Sequence, residues 1–128
     1  MTGEDLELLI IRKYFLKDKG DRYAEFVSRP KTRAKFVECL AHLKDLDFGK
    51  FQKLAKNEAD QIREKAAKAR FDSCYAISEN RRIDRQFLDV ESALRDTIGH
   101  GMGNLLVFGT AEFVYYEGED AKDRWISI

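Results

Sequence analysis

Apolar positions recur at three- and four-residue spacing over the first half of the chain and alternate or cluster in short runs over the second. Residues 5–18 carry Leu6, Leu9 and Ile10 with Leu8, Ile11 and Phe15 on the adjoining stripe, a helix with an unusually wide apolar face. Gly20 is the expected residue just past its end. Asp21 then caps a short helix bearing Tyr23, Phe26 and Val27. Pro30 closes that segment and opens the next. Over residues 30–46, Phe36, Val37, Leu40 and Leu43 share a stripe, with Ala41 beside it. Asp47 is the expected N-cap of a long helix reaching about residue 70. Its stripe is thin: Phe48, Phe51, Leu54, Ala55, Ile62, Ala66 and Ala69, interrupted by Glu58. The middle of this helix is expected in solvent. Glu64 and Lys68 stand in the favourable i, i+4 order.

After Arg70 the period changes. Residues 73–78, SCYAIS, are short and rich in aromatic and β-branched side chains and predict a strand. The polar stretch 79–86 predicts a loop. Asp89 is placed to cap a helix over 90–98, with Val90, Ala93, Leu94 and Ile98 on one face. Gly99-His100-Gly101-Met102-Gly103 stops it.

Residues 104–108 and 111–116 flank Gly109-Thr110, the signature of a two-residue hairpin turn. That turn would set Phe108 opposite Ala111, Leu106 opposite Phe113 and Leu105 opposite Val114. One face of the ribbon then carries Leu106, Phe108, Phe113 and Tyr115, the other Leu105, Val107, Val114 and Tyr116. Both faces are apolar, so both need cover. Residues 117–120 turn the chain, and 124–128 are expected to add a last strand. The fold class is α+β: about three N-terminal helices packed in two layers with a small antiparallel sheet of three to four strands carrying one inserted helix, β-α-β-β. Residues 1–128 are read as a single domain, with a helical part over 1–70 and a β-α-β-β part over 71–128.

Composition narrows the setting. The chain has 128 residues, 44% hydrophobic and 36% charged, enough for a core beneath a densely charged surface. Lys plus Arg and Asp plus Glu both number 23, so no overall field draws it to nucleic acid or an anionic membrane. No apolar run is long enough to span a bilayer. Glu4, Asp5 and Glu7 precede Leu8-Leu9-Ile10-Ile11, the wrong charge order for a secretory signal. A cytoplasmic protein without a membrane association is expected. Cys39 and Cys74 show no metal-ligand spacing and are read as reduced, buried thiols.

The chemistry-bearing residues are few. The glycine loop follows a helix and leads into a strand, whereas phosphate loops precede a helix and aim its N-terminal amides at the anion. It is therefore read as a helix end and tight turn with Gly99 left-handed. His100, between two glycines, is expected exposed; it could act as an acid or base with Cys74 or Glu117, in a small hydrolase or transferase. Residues 50–70 carry Lys50, Lys53, Lys56, Arg63, Lys65, Lys68 and Arg70 against Glu58, Asp60 and Glu64, the basis of a nucleic-acid alternative. Tyr115, Tyr116 and Glu117 suit a recognition surface, since tyrosine joins a large apolar body to a polar handle. The binding candidates are thus His100, Gly101, Tyr115, Tyr116 and Glu117, with no catalytic or metal-ligating residue assigned and no cofactor expected. The first functional reading is a non-catalytic interaction or regulatory module whose partner is its own copy, as a homodimer, or another protein.

Overall fold

The computed structural model describes residues 1–128. Its element order is α1 (Gly3–Tyr14), α2 (Gly20–Val27), α3 (Pro30–Cys39), β1 (Phe51–Lys53), α4 (Glu58–Lys68), β2 (Ser73–Ser78), β3 (Phe87–Asp89), α5 (Val90–Thr97), β4 (Asn104–Phe108), β5 (Phe113–Glu117) and β6 (Arg124–Ser127). Three-residue 3-10 turns occupy Lys17–Lys19, Leu40–His42 and Phe48–Lys50. The class is α+β with an antiparallel sheet, but the sheet has six strands in the order β1-β6-β5-β4-β2-β3, where three or four were expected.

The two unforeseen strands lie at the edges. β1 comes from the segment read as a long helix over 48–70. Phe51 and Leu54, spaced i, i+3, would share a face of a helix; in extended chain they point to opposite faces. The structure takes the second option, with Phe51 in the core on one side of the sheet and Leu54 in the core on the other. Asp47 makes no cap hydrogen bond, and Asn57 in the left-handed region (φ 56) separates β1 from α4. β3 arises where a loop was expected to run directly into α5.

The boundaries of the first helices also move. Thr2 caps α1 through a capping box with Asp5. Phe15 is already extended and bridges to Leu46. Gly20 is right-handed and starts α2 instead of ending α1. α3 stops at Cys39, short of the expected residue 46. Asp89 does cap α5, its carboxylate accepting from the Ser92 N–H at 3.0 Å, and Gly99 follows at φ 82 as the left-handed residue past the helix end.

The hairpin forms with its register moved by two residues. Phe108 opposes Phe113, Leu106 opposes Tyr115 and Leu105 opposes Tyr116. The turn is therefore four residues, 109–112. Ala111 is taken out of the strand because its carbonyl accepts from the Tyr14 hydroxyl and the Lys13 ammonium, both at 2.8 Å. The rings of Phe108 and Phe113 then stack at 4.2 Å. A shift of two keeps every side chain on its expected face.

Both faces of the sheet are covered by this chain, so there are three layers rather than two. Leu6, Ile10, Ile11, Tyr23 and Phe36 of α1–α3 pack on Tyr75, Ile77, Leu105, Val107, Val114 and Tyr116. Ile62, Ala66, Val90, Ala93 and Leu94 of α4 and α5 pack on Cys74, Ala76, Leu106, Phe108, Phe113 and Tyr115. No helix is long and apolar enough to cross a membrane.

Candidate functional site

The register across the central strands aligns Ser78, Asn104, Glu117 and Arg124 in one row at the end of the sheet nearest the glycine loop. Glu117 is 1% exposed. Its Oε1 accepts from the Tyr115 hydroxyl at 2.6 Å and its Oε2 from the Gly99 N–H at 2.9 Å. Arg124 Nε lies 3.7 Å away, and its Nη1 reaches Glu58 at 3.2 Å. Burial pushes the Glu117 carboxyl above its ordinary pKa, against the lowering pull of these donors. Asn104 bonds the Ser78 hydroxyl and the Met102 carbonyl. The glycine loop is thus fastened down onto a buried polar row, and Glu117 acts there as a structural acceptor.

The other expected site residues do not join it. His100 and Gly101 are exposed, and the His100 ring nitrogen Nε2 meets the Arg95 carbonyl at 2.8 Å, folding the imidazole back on the end of α5. Cys74 lies four residues from Ser78 along β2, about 13 Å at roughly 3.3 Å per residue, and its thiol is pushed up to about 12 by burial with the Asp89 charge adding to it. Cys39 is half-buried, not buried as expected. Tyr116 is 1% exposed; its hydroxyl donates to the Leu40 carbonyl at 2.6 Å and accepts from the Leu43 N–H at 3.0 Å. Tyr115 is equally enclosed. The two tyrosines hold the interior together and offer no recognition surface, which removes the hairpin as the motive for self-association.

The basic segment is divided. Lys50 ends the 3-10 turn before β1 and Lys53 ends β1, while Arg63, Lys65 and Lys68 stand on α4. Lys50 donates to the Lys13 carbonyl, Lys65 to the Ser127 carbonyl, and Arg63 grips both Glu91 and Asp60. No continuous cationic helix face results.

What the structure adds is a charged cluster where α1, α3 and the β2–β3 loop meet. Arg33, 5% exposed, donates from Nε and Nη2 to the two Glu7 oxygens at 2.9 and 2.8 Å, and from Nη1 and Nη2 to the two Asp84 oxygens at 2.7 and 3.0 Å. The Tyr75 hydroxyl donates to Glu7 at 2.6 Å, and the Ser78 N–H to Asp84 at 3.0 Å. Burial alone would lower the Arg33 pKa, but the bonds to Asp84 and Glu7 hold it raised. Two open grooves adjoin this cluster, of about 390 and 320 Å³, and both include Pro30 and Arg85 in their walls. The larger is rimmed by Arg81, Glu38 and Glu79; the smaller runs past Val27 and Tyr75 to Phe87. Phe87 is 59% exposed, the one large apolar side chain left exposed away from the two chain ends. A sequence signal for the cluster existed: Glu7 sits on the apolar stripe of α1 with Ile10, Ile11 and Tyr14, and Arg33 on that of α3 with Phe36, Val37 and Leu40. A charge on a core stripe calls for a buried partner.

No protein-family model, curated protein or solved structure matches the chain. No group of three His, Cys, Asp or Glu side chains is arranged to hold a metal ion.

Proposed function

We propose that the protein is a non-catalytic interaction module whose contact surface is the β3 edge together with the grooves between α1, α3 and the β2–β3 loop. The observation that carries this reading is Phe87, a large apolar ring left open on a sheet edge beside two concavities. Its inner neighbour Tyr75, at 4.9 Å between ring centres, is fully enclosed. Exposed aromatic residues with nearby arginines are the usual anchors of protein contacts. Arg81 and Arg85 line the grooves beside the edge, and both are exposed. The groups suited to chemistry support the same view. Glu117 is bonded internally, Cys74 is buried, and His100 points back at its own helix.

Photo-crosslinking tests the proposal. A photoreactive residue replacing Phe87 should trap a discrete adduct, and one replacing Gln61 on the opposite layer should not. Equal labelling at the two positions would sink the reading. So would turnover in a hydrolase or transferase screen that disappears in His100→Ala.

A further inference from the structure

Resting on that reading, we propose that the partner at the β3 edge is a second copy of this chain. The two β3 strands would pair antiparallel about a twofold axis at Phe87.

The backbone supplies the first argument. The Val90 N–H bonds the Asp72 carbonyl and the Ala76 N–H bonds the Gln86 carbonyl. These two bonds, with Cys74 opposite Leu88 between them, fix which residues of the strand face β2. In an antiparallel ladder the inward and outward directions alternate. Phe87 therefore turns both its N–H and its C=O away from β2, toward open solvent. A residue with both groups free can pair with its own symmetry copy through two mutual hydrogen bonds, the arrangement an antiparallel twofold axis requires.

Charge supplies the second. Arg81, Arg82 and Arg85 lie before Phe87, with Asp84 among them already held by Arg33, while Asp89 and Glu91 follow it and Asp72 precedes Ser73, the partner of Asp89 in β2. The edge thus has a basic end and an acidic end with the exposed ring at its centre. An antiparallel copy reverses this order, so the basic end of each chain lies beside the acidic end of the other. The ladder bonds themselves are confined to Phe87, because Arg85 is left-handed (φ 65) and turns its N–H inward to the Ala76 carbonyl, and the Asp89 carboxylate caps α5. Cross-strand pairs of opposite charge are favourable and like charges are not. A parallel copy would set like charges together at both ends, and a strand of uniform charge would repel its copy in either orientation. The opposite edge of the sheet is built differently: β1 presents Gln52 and Lys53, with Lys50 before it and Lys56 after it, and lysines on an edge repel a second copy.

The edge is short, with three residues in β3, so the contact falls below the standard interface of about 1,600 Å². The dimer is accordingly expected to be concentration-dependent and weakened by salt.

Sedimentation of the full chain from low to high micromolar concentration tests this. The wild type should dimerise reversibly. Phe87→Arg should abolish the dimer, Arg85→Glu should weaken it about tenfold by adding an acid to each basic end where it lies beside the acidic end of the other chain, and Lys53→Glu should leave it unchanged. Circular dichroism confirms that each variant is folded, as substitutions at exposed positions allow. A wild type that stays monomeric throughout, or a dimer indifferent to Phe87→Arg, overturns the proposal. If the monomer still gives a discrete crosslink to a different protein through position 87, the interaction-module reading stands and only the second copy is excluded. If neither appears, both fall.

Discussion

Gly103 lies directly against the backbone of Leu40: a Cβ on it would come within 2.2 Å of the Leu40 carbonyl carbon and 2.4 Å of the Ala41 nitrogen. Neither of those backbone atoms belongs to a side chain that can swing aside. Gly103→Ala is therefore expected to destabilise the protein by about 3 kcal/mol or more, the upper range for overpacking. Gly101→Ala faces open space and meets only the strain of its positive φ. Thermal denaturation of the two variants side by side should show a clearly larger fall for Gly103.

Arg33 is the only cation facing the buried carboxylate of Glu7. Its removal leaves that charge without its cation, with only the Tyr75 hydroxyl still donating to it, and leaves Asp84 with only the Ser78 N–H. Arg33→Ala should lose about 3–5 kcal/mol of stability. Arg33→Lys keeps the charge but lacks the planar fork that engages two carboxylates at once, so urea titration should recover only part of the loss. A lysine variant as stable as wild type would show that charge alone suffices.

Tyr116→Phe removes one oxygen and leaves the Leu40 carbonyl and the Leu43 N–H without that partner in the interior. A loss of about 1–3 kcal/mol is expected. The wild-type hydroxyl, pushed up to about 12 mainly by burial, should resist ionisation in a spectroscopic alkaline titration until the protein unfolds.

The pH dependence of stability should carry the mark of Glu117. Its folded pKa is raised above the ordinary 4.5 by burial, so between these two values the native state holds a proton that the unfolded chain has released. Stability then falls as pH rises through that window, and is highest toward its acidic end. The groups facing the carboxylate are Tyr115, Arg124 and, through Arg124, Glu58. Asp5 and Asp89 act in the opposite sense at lower pH, since hydrogen bonds from Thr2 and Ser92 depress them. Chemical denaturation at a series of pH values should show the upper slope in the wild type and its absence in Glu117→Gln.

His100→Ala should change stability by no more than about half a kcal/mol, as for exposed turn residues generally. Gly99→Ala should lose about 1 kcal/mol or more, because φ 82 is a conformation that side chains with a Cβ adopt only under strain. The reverse order in thermal melts would assign the imidazole a structural role beyond its bond to Arg95.

The strands of the second half were legible because their apolar runs are bounded by strong turn signals, and any turn of even length leaves Leu105 through Tyr116 on the same faces. The four-residue turn was not legible: the Tyr14 and Lys13 groups that draw Ala111 out of the strand lie almost a hundred positions away. β1 was hidden for a related reason, since Phe51 and Leu54 satisfy helix and strand spacing alike and only the Ser127 neighbourhood decides between them. The candidate site fared worse. Tyrosine beside glutamate reads equally as surface or as a buried hydroxyl–carboxylate pair, and Tyr115 with Glu117 proved to be the latter. Phe87 gave no signal at all, because three residues are too few for alternation to show.

The strands β4 and β5 are a wall common to two interiors. Loosening the α1–α3 side uncovers Val107 and Val114, and the same backbone carries Leu106 and Phe113 on its reverse. Damage to one interior is thereby transmitted to the other without any contact between the helices on the two sides. A substitution at Ile10 and another at Leu94 should consequently fail to add in a double-mutant cycle, and the amides of β4 and β5 should exchange with solvent only when the whole molecule opens.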